Sequence, residues 1–136
     1  MPKDYLDAVR QEGQTVNPLF AFLGLAVETI EPDRAVLRLP FRPELIQGGG
    51  VVAGGILAAL LDETMAHAVL AGNKPGHQTT TVSLSVNYLR PARRGQDLTC
   101  EARVVKRGGR VLFLEAEVRS GDAEAARATA SFLLLA

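Results

Sequence analysis

The stretch GGILAALLDETMAHAVL, residues 54–70, decides how this 136-residue chain is read. Proline is absent from it, good helix formers fill it, and apolar side chains fall on nearly every face. A helix that is apolar all round belongs inside a fold, so the segment is predicted to be the central element. Asp62 and Glu63 break its pattern. Asp62 has Ala58, Ala59, Met65, Ala66 and Val69 at three, four and seven residues' distance, so its own face is apolar. A carboxylate buried there without a partner is costly, and it needs either a backbone donor or arginine beside it, or a chemical purpose. Glu63 has His67 one turn later, which fits a helix-surface pair or a pair for acid/base work.

Upstream, Ile46 and Gln47 lead into Gly48, Gly49 and Gly50, a loop with unusual backbone needs. Before it, strands over 25–30 and 35–39 turn at Pro32 and Asp33, and Asn17-Pro18 starts a short helical turn. A further short helix is expected near 3–12. Downstream of Asn73-Lys74-Pro75-Gly76 the period changes to two. Val82, Leu84, Val86 and Tyr88 are expected on one face of a strand, with Thr81, Ser83, Ser85 and Asn87 on the other. Three more strands follow, carrying Leu98 to Val104, Leu112 to Val118 and Ala126 to Leu134 in alternation. The expected class is α+β, a long helix wrapped by an antiparallel sheet.

With 47% hydrophobic and 22% charged residues, the chain reads as a single domain over 1–136, with 1–16 as an N-terminal helical extension. Fifteen basic and fifteen acidic residues cancel, which argues against a nucleic-acid or membrane-surface binder and favours self-association. Cys100 has no partner for a disulfide, and His67 and His77 are not spaced with other ligands for zinc, so no metal is expected. The segment MPKDYLDAVRQEG has no apolar leader, and no apolar run reaches membrane-spanning length; a cytoplasmic protein is expected.

Gly54 and Gly55 open the long helix. A helix N-terminus presents free N–H groups and about half a positive charge, which suits the oxyanion of acyl transfer; equally, the glycines could serve only close packing. The Lys-Ser/Thr of a phosphate-binding loop does not follow them. Gly55 and Asp62 lie about 10 Å apart along one helix, too far to touch a single carbonyl. Two antiparallel copies would bring the Gly55 end of one beside Asp62 of the other, so any active site is expected to be shared in a homodimer.

The runs GGGVVAGGILAALLDETMAHAV and TTTVSLSVNYLRPARRGQDLTCEARVVKRGGRVLFLEAEV resemble the hotdog-fold acyl-CoA thioesterases of the PaaI-like (phenylacetate-degradation) group. The resemblance spans roughly 17–136. It implies a helix wrapped by a curved antiparallel sheet, dimers joined edge to edge, and in many members dimers of dimers. Asp62 would be the catalytic carboxylate, as base or nucleophile, and Gly55 the backbone donor to the thioester oxygen. Thr81 would orient the water, and Gln47 falls where many members carry Asn. Ala53 stands next to Gly54 where many relatives have His, and it can neither hydrogen-bond nor hold a carbonyl. Arg90, Arg93, Arg94, Lys106, Arg107 and Arg110 would meet the phosphates of coenzyme A. Met65, Val69, Phe20 and Phe22 would line the acyl pocket, unless they are plain core.

Three functions follow. The first is an acyl-CoA thioesterase with no metal or redox cofactor. The second, motivated by Ala53, is an acyl-CoA binder that does not hydrolyse. The third is a hotdog hydratase or dehydratase, although His67 lies on a different side of the helix from Asp62.

Overall fold

A computed structural model describes residues 3–135, arranged about the helix α3 (Gly54–Gly72). Before it come α1 (Lys3–Val9), α2 (Pro18–Leu23), the hairpin β1 (Ala26–Glu31) and β2 (Arg34–Leu39), and a 3₁₀ turn at Pro43–Leu45. After it come β3 (Gln78–Tyr88), β4 (Leu98–Arg107), β5 (Val111–Ser120) and β6 (Ala123–Leu135). The six strands make one curved antiparallel sheet in the order β1-β2-β4-β5-β6-β3, which leaves β1 and β3 at its edges. This is the α+β architecture expected from the sequence. Residues 1 and 2 of the expected N-terminal extension lie outside the described residues, and the helix expected over 3–12 ends at Val9.

The helix can sit deep in the sheet because bulk is divided unequally between them. Leu57, Leu60, Leu61, Met65 and Val69 supply large side chains from α3, while Ala102 and Ala116, on strands that the helix packs against, carry only methyl groups, all at most 3% exposed. Small strand residues bring the backbones close and still fill the space. Thr64, wholly buried, donates its hydroxyl to the Leu60 carbonyl at 2.6 Å. Cys100 is equally buried, and burial pushes its thiol up to about 12. α3 is long and apolar enough to cross a membrane, but here it packs on β1 to β5 and carries two carboxylates.

Two β-bulges change the expected alternation. In β3 the register against β6 shifts between Thr81 and Ser83, so Val82 turns outward, 63% exposed, and Thr79, Thr81, Leu84 and Val86 face the helix side. The strict period-two reading had set Thr81 against Leu84. An extra residue in one strand inverts the phase beyond it. In β4 the shift between Val104 and Lys106 likewise turns out Val105 and returns Arg107 to the helix side.

The N-terminal helices dock through a polar contact. His67 is 4% exposed; its Nδ1 lies 2.7 Å from the Glu63 carbonyl and its Nε2 2.8 Å from the Tyr5 hydroxyl. A carbonyl only accepts, so Nδ1 carries the proton and Nε2 accepts from Tyr5. The Phe20 ring lies 4.8 Å from the imidazole, centroid to centroid. The surface pair expected between the Glu63 and His67 side chains is therefore not formed: residues from α1 and α2 claim the imidazole instead. Burial holds the His67 pKa below its ordinary 6.5. Below about pH 6.5 the unfolded chain then binds a proton that the folded chain refuses, so stability falls as pH drops through that window. Glu63, whose carboxyl is pushed up by burial and by Asp62, works in the opposite sense. In urea melts between about pH 7 and pH 5, His67→Gln is expected to flatten the decline relative to the parent, and parallel curves would exclude His67 as its source.

Candidate active site

The start of α3 is an uncapped helix end held from outside. Its N-cap position is Ala53, which has no side-chain acceptor for the first turn. Position is fixed by the backbone: Ala53 N–H donates to the Leu45 carbonyl at 3.1 Å, and Val52 N–H to the Ala92 carbonyl at 2.9 Å. Gly54 lies close under Tyr88: a Cβ would come within 3.3 Å of its Cζ, a tight fit, and the Tyr88 hydroxyl donates to the Gly54 carbonyl at 2.8 Å. Gly55 faces open space, with nothing within 4 Å of a notional Cβ. Among the described residues, no acceptor meets the N–H of Gly54 or Gly55. The result is a pair of exposed donors at the positive end of a nineteen-residue helix.

Two turns further on, Asp62 is half-buried and accepts a hydrogen bond from the Thr81 hydroxyl, Oγ1 to Oδ1, at 2.8 Å. The bulge at Val82 puts Thr81 on the face where it can do so. Neither of the partners expected for a structural carboxylate is present: among the described residues no basic side chain pairs with Asp62 and no backbone N–H caps it. One hydroxyl orients the group and leaves Oδ2 free to accept a proton or to attack.

The other candidate residues divide. Gln47 lies beside Gly54 at a cleft of about 310 Å³ that Leu57, Tyr88 and Arg90 also line, but its Oε1 is turned back onto the Gly49 N–H of its own loop. Arg93 reaches the same region by a bridge to Val51, and the Arg94 guanidinium lies 5.8 Å from the Phe41 ring centre. Arg90 donates to the Glu124 carbonyl, while Lys106 and Arg110 are exposed. Arg107 differs from the rest. Its guanidinium binds Asp33 at 2.6 Å, Asn73 Oδ1 at 2.7 Å and the Val69 carbonyl at 3.0 Å, latching the end of α3 to the β1–β2 turn. Met65 and Val69 are wholly buried core, Phe20 packs on His67, and Phe22 is 75% exposed. The sequence reading missed Tyr88 as the residue that shapes the helix start, and its apolar-face assignment in β3 hid the phenol's hydrogen bond. No group of three or more His, Cys, Asp and Glu is gathered for a metal among the described residues.

A sequence profile described as Thioesterase superfamily matches residues 49–126, which include the glycine pair, Asp62 and Thr81. SSO2140 of Saccharolobus solfataricus, designated an esterase by inference, is 31% identical over 134 residues, covering 98% of this chain and 94% of that protein. Human acyl-coenzyme A thioesterase 13 is 25% identical over 87 residues, 64% of this chain and 61% of its own. The structure of PaaI, a phenylacetic acid degradation protein of Thermus thermophilus, superposes with a TM-score of 0.82 at 27% identity, over 88% of this chain and 100% of that one. Fold, glycine-started helix and matched residues agree: the chain belongs to the thioesterase superfamily, with a hotdog fold of the PaaI-like kind.

Proposed function

We propose that the chain hydrolyses an acyl-CoA thioester to the free acid and coenzyme A. The carrying observation is the combination on one helix of an uncapped N-terminus open at Gly55 and a cation-free carboxylate, Asp62, oriented by Thr81. Water attacks the thioester carbon while Asp62 takes its proton, and the oxyanion that forms accepts from the Gly55 N–H. Collapse of the tetrahedral intermediate breaks the C–S bond, and the departing sulfur leaves as the thiol with that proton. A nucleophilic Asp62 would pass through an anhydride and use the same carboxylate in nearly the same place. Arg90, Arg93, Arg94, Lys106 and Arg110 supply positive charge for the coenzyme phosphates, and Gln47 is one rotation from the cleft it borders.

Seven residues of helix put Gly55 and Asp62 of one chain about 10 Å apart, so the reading requires a second copy. The edge strand β3 supports one. Its sequence QTTTVSLSVNY runs eleven residues with neither proline nor charge, the devices that discourage strand pairing. Beside it α3 leaves Ile56, Ala59, Ala66 and Leu70 only partly covered. Pairing β3 with its copy sets two α3 helices side by side and antiparallel, and joins Gly55 of one to Asp62 of the other. Exposed Val105 and Phe113 on the outer sheet face give two such dimers a surface on which to pair.

Three experiments test this reading. Asp62→Asn is expected to lower kcat toward acyl-CoA by about 10²–10⁴-fold, and Thr81→Val by about tenfold with KM little changed. Unchanged turnover in Asp62→Asn would sink the mechanism, and an acyl-CoA held intact for hours would favour the binding protein that Ala53 suggests. Ala53→Ser supplies a side-chain cap to the first turn. It is expected to stabilise the fold by about 1 kcal/mol in thermal melts while lowering kcat, because the cap competes for the N–H groups that serve the oxyanion. Val82→Lys places a charge on the pairing edge, and sedimentation should show smaller particles with activity lost in step; a monomer with full activity refutes the shared site.

A further inference from the structure

A cavity of about 230 Å³ lies where α1, the start of α2, α3 and β3 meet, lined by Tyr5, Asn17, Glu63, Ala66, Leu70 and Thr79 among others. It adjoins the Asp62–Thr81 pair on two elements. Ala66 follows Asp62 by one turn, about 6 Å along the helix, and Thr79 shares the helix-facing side of β3 with Thr81. An acyl group whose carbonyl carbon stands before Asp62 has room to extend this way, away from Gly55. The volume is below the roughly 300–1,000 Å³ of drug-sized pockets, so it suits a short acyl group.

The polar groups that α1, α2 and His67 bring to this cavity bond to one another, while Gln78 and Thr79 line its β3 wall. Tyr5 donates to His67 and accepts from Asn17 Nδ2 at 2.8 Å; Asn17 Oδ1 takes the Phe20 N–H at 3.1 Å; His67 donates to the Glu63 carbonyl. The Glu63 carboxyl is half-buried, and among the described residues no Lys, Arg or His side chain pairs with it and no hydroxyl donates to it. Only the Asn17 amide favours its charged form, against burial and the neighbouring Asp62. It is an acceptor lacking a strong donor, and the sole charged side chain among the residues that line the cavity.

We infer that this cavity receives the far end of the acyl group and that Glu63 selects acyl groups ending in a hydroxyl. The inference rests on the thioester reading above and names its substrate class. A terminal hydroxyl donates to the carboxyl without bringing a second charge into the cavity, whereas a terminal methyl displaces water from Glu63 and returns nothing. Sites that hydrogen-bond a substrate hydroxyl discriminate strongly against its absence, because the protein group is then left unpaired.

The test is the ratio of kcat/KM for ω-hydroxyhexanoyl-CoA to that for hexanoyl-CoA. The full-length protein is compared with Glu63→Leu and Glu63→Met, which remove the acceptor, and with Glu63→Gln, which keeps one. The parent is expected to favour the hydroxy substrate by about tenfold or more, Leu and Met to bring the ratio to one or below, and Gln to retain part of the preference. A parent ratio near one, as a cavity that stays filled with water would give, overturns the inference and leaves the thioesterase reading standing. So does a preference that survives both Leu and Met. Hydrolysis of neither substrate defeats the thioesterase reading instead. Calorimetry with the two corresponding CoA thioethers then decides the hydroxyl preference from affinities alone, by the same ratio.

Discussion

Close approach between one apolar helix and a sheet of small residues is the constraint on which everything else here depends. Alanines on β4 and β5 allow α3 to lie against the strands, and the large side chains that fill the gap come from the helix. That division commits one side of α3 to the core and leaves the other side, with Asp62, Glu63, Ala66 and Leu70, only partly covered. The acids are tolerable because they fall on this second side. Had either replaced Leu61 or Met65, both wholly buried, it would have faced closely packed methyl groups.

The site is made by departures from regularity. A cap would have closed the start of α3, but Ala53 offers none, and the neighbouring backbone holds the helix in place instead. An unbroken β3 would have turned Thr81 away from Asp62, but the bulge at Val82 turns it inward. Both features cost local stability, and both put polar groups where a substrate can reach them. The second bulge, at Val105, does the converse: it brings Arg107 inward to bond the last turn of α3, a structural use of a residue that sequence alone places among the phosphate contacts.

Much of this was legible in the sequence. The buried helix, the hairpin, the four following strands and the oddity of Asp62 came from period and composition, because those signals are local. The bulges were not legible, since one added residue leaves the alternating pattern of neighbouring side chains almost intact while inverting what each faces. Nor was the Tyr5–His67 contact, whose partners stand 62 residues apart. Asn17 read as a helix cap, which it is, yet its amide nitrogen also serves the hydroxyl of Tyr5. Long-range polar contacts of this sort leave no periodic trace.

The burial of Cys100 has a practical side. It is the chain's single thiol, packed beneath α3 and held protonated far above neutral pH. Reagents that detect free thiolate will therefore find almost none on the folded protein, so colour that develops during turnover belongs to the sulfur released from substrate. The same residue becomes a clock for opening of the sheet: its slow labelling in the absence of substrate counts how often the helix lifts from the strands.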